Sequence, residues 1–144
     1  MGKSSHGYTL HIDNLGGVNG QIQTTNVCQN LAMGGTAHVD TTIIVPCTDG
    51  LQQIQVDANG EMHLGWHEPQ PIHMPPVIGG HTVYSLSSDG MLYALNLANG
   101  KLRTSLYLGS GIMSFAIPTF STPTVAGGHV FAGTMSGIVG VTVS

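Results

Sequence analysis

Apolar and polar residues alternate along short runs of this chain, and each run is bounded by Gly, Asn or Asp. A period of two is typical of β-strands, because successive side chains of a strand point to opposite faces. The clearest set lies mid-chain, where the pattern predicts four strands at 76–78, 82–87, 91–97 and 101–108. A second set of four is predicted before it, at 36–39, 42–47, 51–57 and 61–67. The pattern therefore predicts an all-β fold.

Turn residues recur along the chain at a fixed spacing. Asp49-Gly50 recurs forty residues later as Asp89-Gly90, and Ala58-Asn59-Gly60 recurs at the same distance as Ala98-Asn99-Gly100. Gly79-Gly80-His81 recurs as Gly127-Gly128-His129. Repeats of about 40 to 50 residues indicate propeller blades or helical arrays, and the strand pattern favours propeller blades. Glycines at these turns provide the positive φ that tight hairpins need.

The two ends of the chain carry fewer strands than the middle. Strands are predicted at 8–13 and 21–27 near the start, and at 122–125, 129–133 and 138–143 near the end. Residues 1–7 are expected to form a disordered stub, and 8–144 a partial β-propeller of four-stranded antiparallel blades. Two blades are complete and two are incomplete, with approximate ranges 8–27, 35–67, 76–108 and 122–143.

Charge excludes some partners. Charged residues form 7% of the chain, and three Lys and Arg stand against seven Asp and Glu, for a net charge of −4. Without a basic surface to neutralise phosphates, nucleic acid is not expected as a partner. No apolar run approaches the roughly 20 residues that cross a bilayer, so no membrane span is expected. The start has no apolar signal core, so the cellular location has to be inferred from the cysteines.

The repeat resembles that of pyrroloquinoline-quinone-like β-propellers. In the middle blade the likeness covers Pro75 to Gly80, Val83-Tyr84, Asp89 to Leu95 and Asn99 to Leu102. Ser121 to Phe131 is similar to the closing blade of exported bacterial members, and Val45 to Leu51 resembles their cysteine-bearing blade. The resemblance extends over roughly residues 28 to 143 and implies a propeller fold, with the chain corresponding to the C-terminal part of such a protein.

Two features depart from that family. The aromatic residue that usually ends a fourth strand is present once, as Trp66, while Leu106 and Tyr107 occupy the comparable region of the next blade. Complete propellers of the family have seven or eight blades, and this chain has about three. The quinone dehydrogenases that share the repeat hold their cofactor with adjacent cysteines, a stacking tryptophan and a calcium site. None of these maps onto this sequence, so no cofactor is expected.

Cys28 and Cys47 are the two cysteines of the chain. A disulfide between them would close a loop of about 20 residues and stabilise the fold by roughly 3 kcal/mol. The alternative is two buried free thiols. Cysteines in neighbouring blades of a chain with so few charges suit an oxidising compartment, so we expect the disulfide and an extracellular or periplasmic location.

Three of the eight histidines lie close together in sequence, at His63, His67 and His73. They are weak candidates for metal ligands, because on one strand His63 and His67 would be about 13 Å apart. No metal site is therefore predicted. The sequence also lacks a nucleophile elbow, a phosphate loop and a dinucleotide fingerprint, and we expect the protein not to be an enzyme.

These features favour a binding or scaffold module, a fragment of a larger repeat protein, whose loops present polar and aromatic groups to a protein or glycan. The alternative is the remnant of an enzyme, or of a propeller that binds a quinone or metal. The predicted last strand carries an apolar, uncharged edge at Ile138, Val139, Val141 and Val143, and such edges favour pairing. We expect self-association, as a homodimer or a higher oligomer, in which the incomplete blades complete one another. In the intact parent protein, the remaining blades would take the partner's place.

Overall fold

The computed structural model describes residues 4–70, 74–109, 121–134 and 137–143. All the regular structure in these residues is β-strand. The strands are β1 (Ser5–Leu10), β2 (Gln21–Cys28), β3 (Ala37–Val39), β4 (Thr42–Cys47), β5 (Gly50–Val56), β6 (Met62–Glu68), β7 (Val77–Gly79), β8 (Thr82–Leu86), β9 (Met91–Asn96), β10 (Leu102–Tyr107), β11 (Thr124–Ala126), β12 (His129–Thr134) and β13 (Gly137–Thr142).

The strands form four antiparallel sheets in chain order. We call β1–β2 the hairpin unit, β3–β6 the first blade, β7–β10 the second blade and β11–β13 the terminal unit. Each sheet joins strands that are consecutive in the chain, with two to five residues between neighbouring strands of the two blades and ten residues between β1 and β2. The predicted fold class, an all-β partial propeller with two complete and two incomplete blades, is confirmed.

The turns are formed by the residues whose recurrence predicted them. Gly80, Gly90 and Gly100 have positive φ angles of 57°, 87° and 70°. The first blade departs from the pattern at its first turn, where Asp40 has a φ of 49° at the position that Gly80 holds in the second blade. Asp and Asn tolerate this left-handed conformation better than most residues with a side chain, because they hydrogen-bond the local backbone.

The first strands of successive units lie next to one another, with β3 against β7 and β7 against β11. One apolar cluster fills each boundary between adjacent units. Cys28, Val45 and Ile54 belong to the cluster between the hairpin unit and the first blade. Ile44, Val83 and Leu95 belong to the next cluster, and Leu86, Leu92 and Val130 to the last. The stability of the fold therefore depends on contacts between sheets.

The N-terminal strand differs from its prediction. It begins at Ser5, within the segment expected to be a disordered stub, and ends at Leu10 rather than at residue 13. Ser5 pairs with Cys28, and the Ser5 hydroxyl accepts a 2.8 Å hydrogen bond from the backbone N–H of Ala32. The polar composition of this segment gave no strand pattern, because β1 is held in place by backbone pairing with β2.

Candidate functional site

A tryptophan closes the boundary between the first and second blades. The Trp66 side chain, on β6, lies against the turn that joins β9 to β10, where a Cβ atom on Gly100 would be 2.6 Å from the indole ring. The Trp66 indole N–H donates to the Leu97 carbonyl at 2.9 Å, and the Gln53 amide donates to the same oxygen at 2.9 Å. The turn of one blade thus covers the outer strand of the preceding blade.

The boundary before it is closed in a similar way. The Gln23 side chain, on β2, contacts both backbone groups of Met62: its amide oxygen accepts from the Met62 N–H at 2.5 Å, and its amide nitrogen donates to the Met62 carbonyl at 3.3 Å. The predicted disulfide is confirmed, since Cys28 and Cys47 are bonded across this boundary with their Cα atoms 5.7 Å apart. The bond links the end of β2 to the end of β4.

At the third boundary, between the second blade and the terminal unit, the described residues pack around the apolar cluster and leave part of β10 exposed. Val141 and Val143 pack against the cluster that contains Tyr84 and Leu92. Farther out, a cavity of about 300 Å³ opens between β10 and β13, lined by Thr104, Leu106 and Val143 among others. Leu106 is 45% exposed there. At the other two boundaries, the outer strand is covered by the turn between the third and fourth strands of the next blade.

The two ends of the stack of sheets both expose apolar side chains. On the terminal unit, Phe131 lies across Gly140 of the neighbouring strand, and Ile138 beside them is 79% exposed. On the hairpin unit, Tyr8 and Leu10 point away from the first blade and are 61% and 43% exposed. Of the residues predicted to form an oligomer edge, Ile138 lies on this exposed face, whereas Val139, Val141 and Val143 are partly buried.

The histidine candidates are separated in the structure. His63 lies 2.9 Å from an Asp57 carboxylate oxygen, in a group with Glu61 whose ligand atoms are within 4.8 Å of one another. That group belongs to an exposed turn, where Asp57 also accepts the backbone N–H groups of Asn59 and Glu61. His67 lies near Asp49 instead, and among the described residues it joins no cluster of three possible metal ligands. His73 lies outside the described residues.

Two equivalent carboxylates, Asp49 and Asp89, differ in their surroundings. In the second blade the Ser87 hydroxyl donates to Asp89 Oδ1. Forty residues earlier, the position equivalent to Ser87 is Cys47, whose sulfur is held in the disulfide. Asp49 Oδ1 is buried and has no hydrogen-bond partner, and Asp49 Oδ2 lies 3.6 Å from the His67 Nε2 atom. The same turn therefore holds a satisfied carboxylate in one blade and an unsatisfied carboxylate in the other.

A cavity of about 420 Å³ adjoins Asp49 at the boundary between the hairpin unit and the first blade. The two bonded cysteines, Cys28 and Cys47, line it together with apolar and polar side chains: Asn26, Val27, Gln29, Asp49, Gln52, Leu64 and His67. The sequence pattern gives no indication of this cavity. One feature of the sequence could have pointed to it: the repeat position that holds Ser87 in the second blade holds Cys47 in the first.

Among the described residues, the structure contains no helix that is long and apolar enough to cross a membrane.

Comparison with known proteins bears on the fold. No protein-family model matches the sequence, and no curated protein matches it. Among solved structures, the computationally designed Ika4 protein matches with a TM-score of 0.64 at 12% identity, over 86% of this chain and 73% of the other. BamB from Moraxella catarrhalis matches with a TM-score of 0.51 at 16% identity, over 88% of this chain and 51% of BamB. A europium-containing methanol dehydrogenase matches with a TM-score of 0.55 at 12% identity, over 76% of this chain and 22% of the dehydrogenase.

These similarities are to propeller folds, and at such low identities they concern the fold alone. The chain spans about half the length of BamB and about a fifth of the dehydrogenase. These similarities therefore support a propeller fold and confirm no particular family.

Proposed function

We propose that the protein is a non-catalytic propeller scaffold whose ring is completed by a second copy of the chain. The observation that carries this proposal is the contrast between boundaries. Of the three boundaries inside the stack, two are closed by Trp66 and Gln23, whereas each end of the stack exposes an apolar face. A ring has no ends, so its closure would bury both faces.

The terminal unit offers the second copy a face and an edge. Phe131 and Ile138 form the face, and the outer side of β13 has no neighbouring strand among the described residues. The alternating burial of β13 directs Val139 and Val141 toward the second blade, so these two valines hold the strand in place while its backbone remains available for pairing.

The hairpin unit is the part of the second copy that fits this surface. Its exposed face carries Tyr8 and Leu10, and it contains two strands where the terminal unit contains three. Because β1 pairs with β2 from Ser5 to Leu10, the hairpin would dock as one piece rather than donate β2 alone. A shared outer blade would then hold three strands of one copy and two of the other.

The role of such a ring is to present loops to a protein or glycan. The carboxylates of Asp57 and Asp89 bond within their own turns, which supports a structural use of these groups. The disulfide supports an extracellular or periplasmic location, because such bonds persist in oxidising compartments.

Light scattering over a range of concentrations tests the assembly. We expect a mass of two 15.0 kDa chains at micromolar protein. Ile138→Lys places a charge on the face that closure would bury, and it should raise the dissociation constant by about 100-fold. Leu64→Lys is the matched control, since Leu64 is 51% exposed on β6 of a complete blade, and this variant should remain dimeric.

Three results would contradict the proposal: a mass that stays at one chain up to high micromolar concentration, a mass that keeps growing beyond two chains, or equal effects of the two lysine variants.

A further inference from the structure

We propose that the cavity beside Asp49 binds a small organic cation, an ammonium or guanidinium group on a short apolar stem. This inference is independent of the proposed ring, because the cavity lies within one chain, between the hairpin unit and the first blade. Its volume of about 420 Å³ is within the range of small-molecule sites, which is roughly 300 to 1,000 Å³.

One carboxylate oxygen of Asp49 has no hydrogen-bond partner, and the side chain as a whole is 34% exposed. Its Oδ1 atom is shielded from solvent and accepts no hydrogen bond, so this oxygen has lost its water without gaining a protein donor. The 3.6 Å between its Oδ2 atom and His67 is too long for a hydrogen bond. Neither Lys101 nor Arg103 lines the cavity. Because Oδ1 is buried, a cation in the cavity would reach the carboxylate at Oδ2 and pair with its charge there.

The repeat explains why the hydrogen bond is missing here and present elsewhere. Asp89 and Asp49 begin equivalent Asp-Gly turns, and the Ser87 hydroxyl satisfies Asp89. A disulfide sulfur has no proton to donate, so Cys47 cannot do the same for Asp49. The covalent link that fixes the hairpin unit to the first blade thereby leaves a carboxylate available for a ligand.

The rest of the cavity suits the remainder of such a ligand. The amide side chains of Asn26 and Gln29 offer oxygen acceptors for further N–H groups. Val27, Leu64 and the disulfide provide apolar surface for a short stem. A guanidinium group is the better match of the two cations, because its several N–H groups can donate to Asp49 Oδ2 and to the neighbouring amide oxygens together.

Calorimetric titration with n-propylguanidinium tests the site, with n-propylurea as the uncharged ligand of nearly the same shape. We expect saturable binding of the cation with a dissociation constant near or below about 1 mM, and binding of the urea at least about tenfold weaker. Asp49→Asn should weaken binding of the cation by about tenfold or more. Asp89→Asn, at the equivalent turn, should change it less than about twofold.

A second pair of variants isolates the role of Cys47. Both C28A/C47S and C28A/C47A remove the disulfide, and they differ by one hydroxyl group at position 47. The serine hydroxyl should donate to Asp49 as Ser87 does to Asp89, so the first variant should bind the cation about threefold more weakly than the second. Equal affinities of these two variants would overturn the explanation. Absence of saturation below about 10 mM, equal binding of the urea, or an unchanged affinity in Asp49→Asn would overturn the site itself.

Discussion

The boundary between the two complete blades and the boundary that follows it differ in how the outer strand of the blade is covered. At the first of these, the outer strand β6 is covered by the next blade's turn, which packs on Trp66 and bonds to it through the Leu97 carbonyl. At the second, the outer strand β10 borders an open cavity, and Leu106 remains 45% exposed.

The difference shows what stabilises a blade of this kind. Pairing within each sheet is similar in the two blades, with four antiparallel strands in each. The two boundaries differ in the unit that follows. The second blade supplies a turn and a fourth strand, whereas the described part of the terminal unit has three strands. The outer part of each blade is therefore stabilised mainly by the neighbouring blade, and a repeat residue is part of the core or part of the surface according to that neighbour.

Truncation of the two outer-strand side chains should give the largest contrast between the boundaries. Trp66→Ala removes the indole ring and one of two donors to the Leu97 carbonyl, and we expect it to lower the free energy of unfolding by about 4 kcal/mol. Leu106→Ala, at the open boundary, should lower it by less than about 1 kcal/mol. Urea denaturation at a concentration where the chain is monomeric measures both.

Equal losses in the two variants would mean that the cavity beside β10 is filled in solution, and the comparison of boundaries would fail. A loss at Leu106 that appears only at high protein concentration would instead support closure by a second copy.

Two turn glycines sharpen the same comparison with a smaller effect. Gly100 and Gly80 both have positive φ, but a Cβ atom on Gly100 would meet the Trp66 ring at 2.6 Å, whereas one on Gly80 would meet nothing within 4 Å. Gly80→Ala should lower the free energy of unfolding by about 1 kcal/mol, through the left-handed backbone alone. Gly100→Ala adds the clash between blades and should cost about 3 kcal/mol.

Thermal unfolding followed by circular dichroism compares these two alanine variants. If Gly100→Ala costs no more than Gly80→Ala, the turn does not pack against the tryptophan. Combining Gly100→Ala with Trp66→Ala should give a total loss smaller than the sum of the single losses, because the two residues contact each other.

The sequence was a good guide to the blades and a poor guide to what lies between them. Recurring Asp-Gly and Asn-Gly pairs located the turns, since a tight turn restricts its own residues strongly. The strands of the two complete blades therefore fell within a few residues of their predicted positions. The first strand was placed too late, because β1 is ordered by pairing with β2 and has no strong pattern of its own.

The candidate site was largely beyond prediction from one sequence. The Cys28–Cys47 pairing could be proposed because the chain has two cysteines. The cavity beside Asp49 could not, because it is formed by residues from the hairpin unit and the first blade whose approach depends on how the sheets stack. The same limit applied to the histidines. The pattern grouped His63 with His67, but the structure pairs each with a different aspartate.

The smallest predicted effect concerns the turn between the last two strands of each complete blade. In the first blade this turn is held by the Asp57 carboxylate, which accepts backbone N–H groups from Asn59 and Glu61. In the second blade, side-chain amide oxygens accept instead: Asn96 accepts from the Ala98 backbone N–H, and Asn99 accepts from the Lys101 backbone N–H. One turn is therefore sensitive to protonation and the other is not.

The hydrogen bond from His63 and the backbone N–H groups lower the pKa of Asp57 below its ordinary value. A carboxyl whose pKa is lower in the folded state stabilises that state above its ordinary pKa, and this contribution is lost as the pH falls through the folded value.

Asp57→Asn keeps an oxygen acceptor but removes the charge. Wild type should therefore be slightly more stable than the variant near neutral pH, and the difference should disappear as the pH falls through the lowered pKa of Asp57. Urea midpoints measured from pH 7 to pH 2 check this, with Asn96→Ala as the control whose loss of stability, measured against wild type, should show no such titration. A difference between wild type and Asp57→Asn that persists unchanged to the lowest pH would show that the carboxylate's charge does not stabilise the turn.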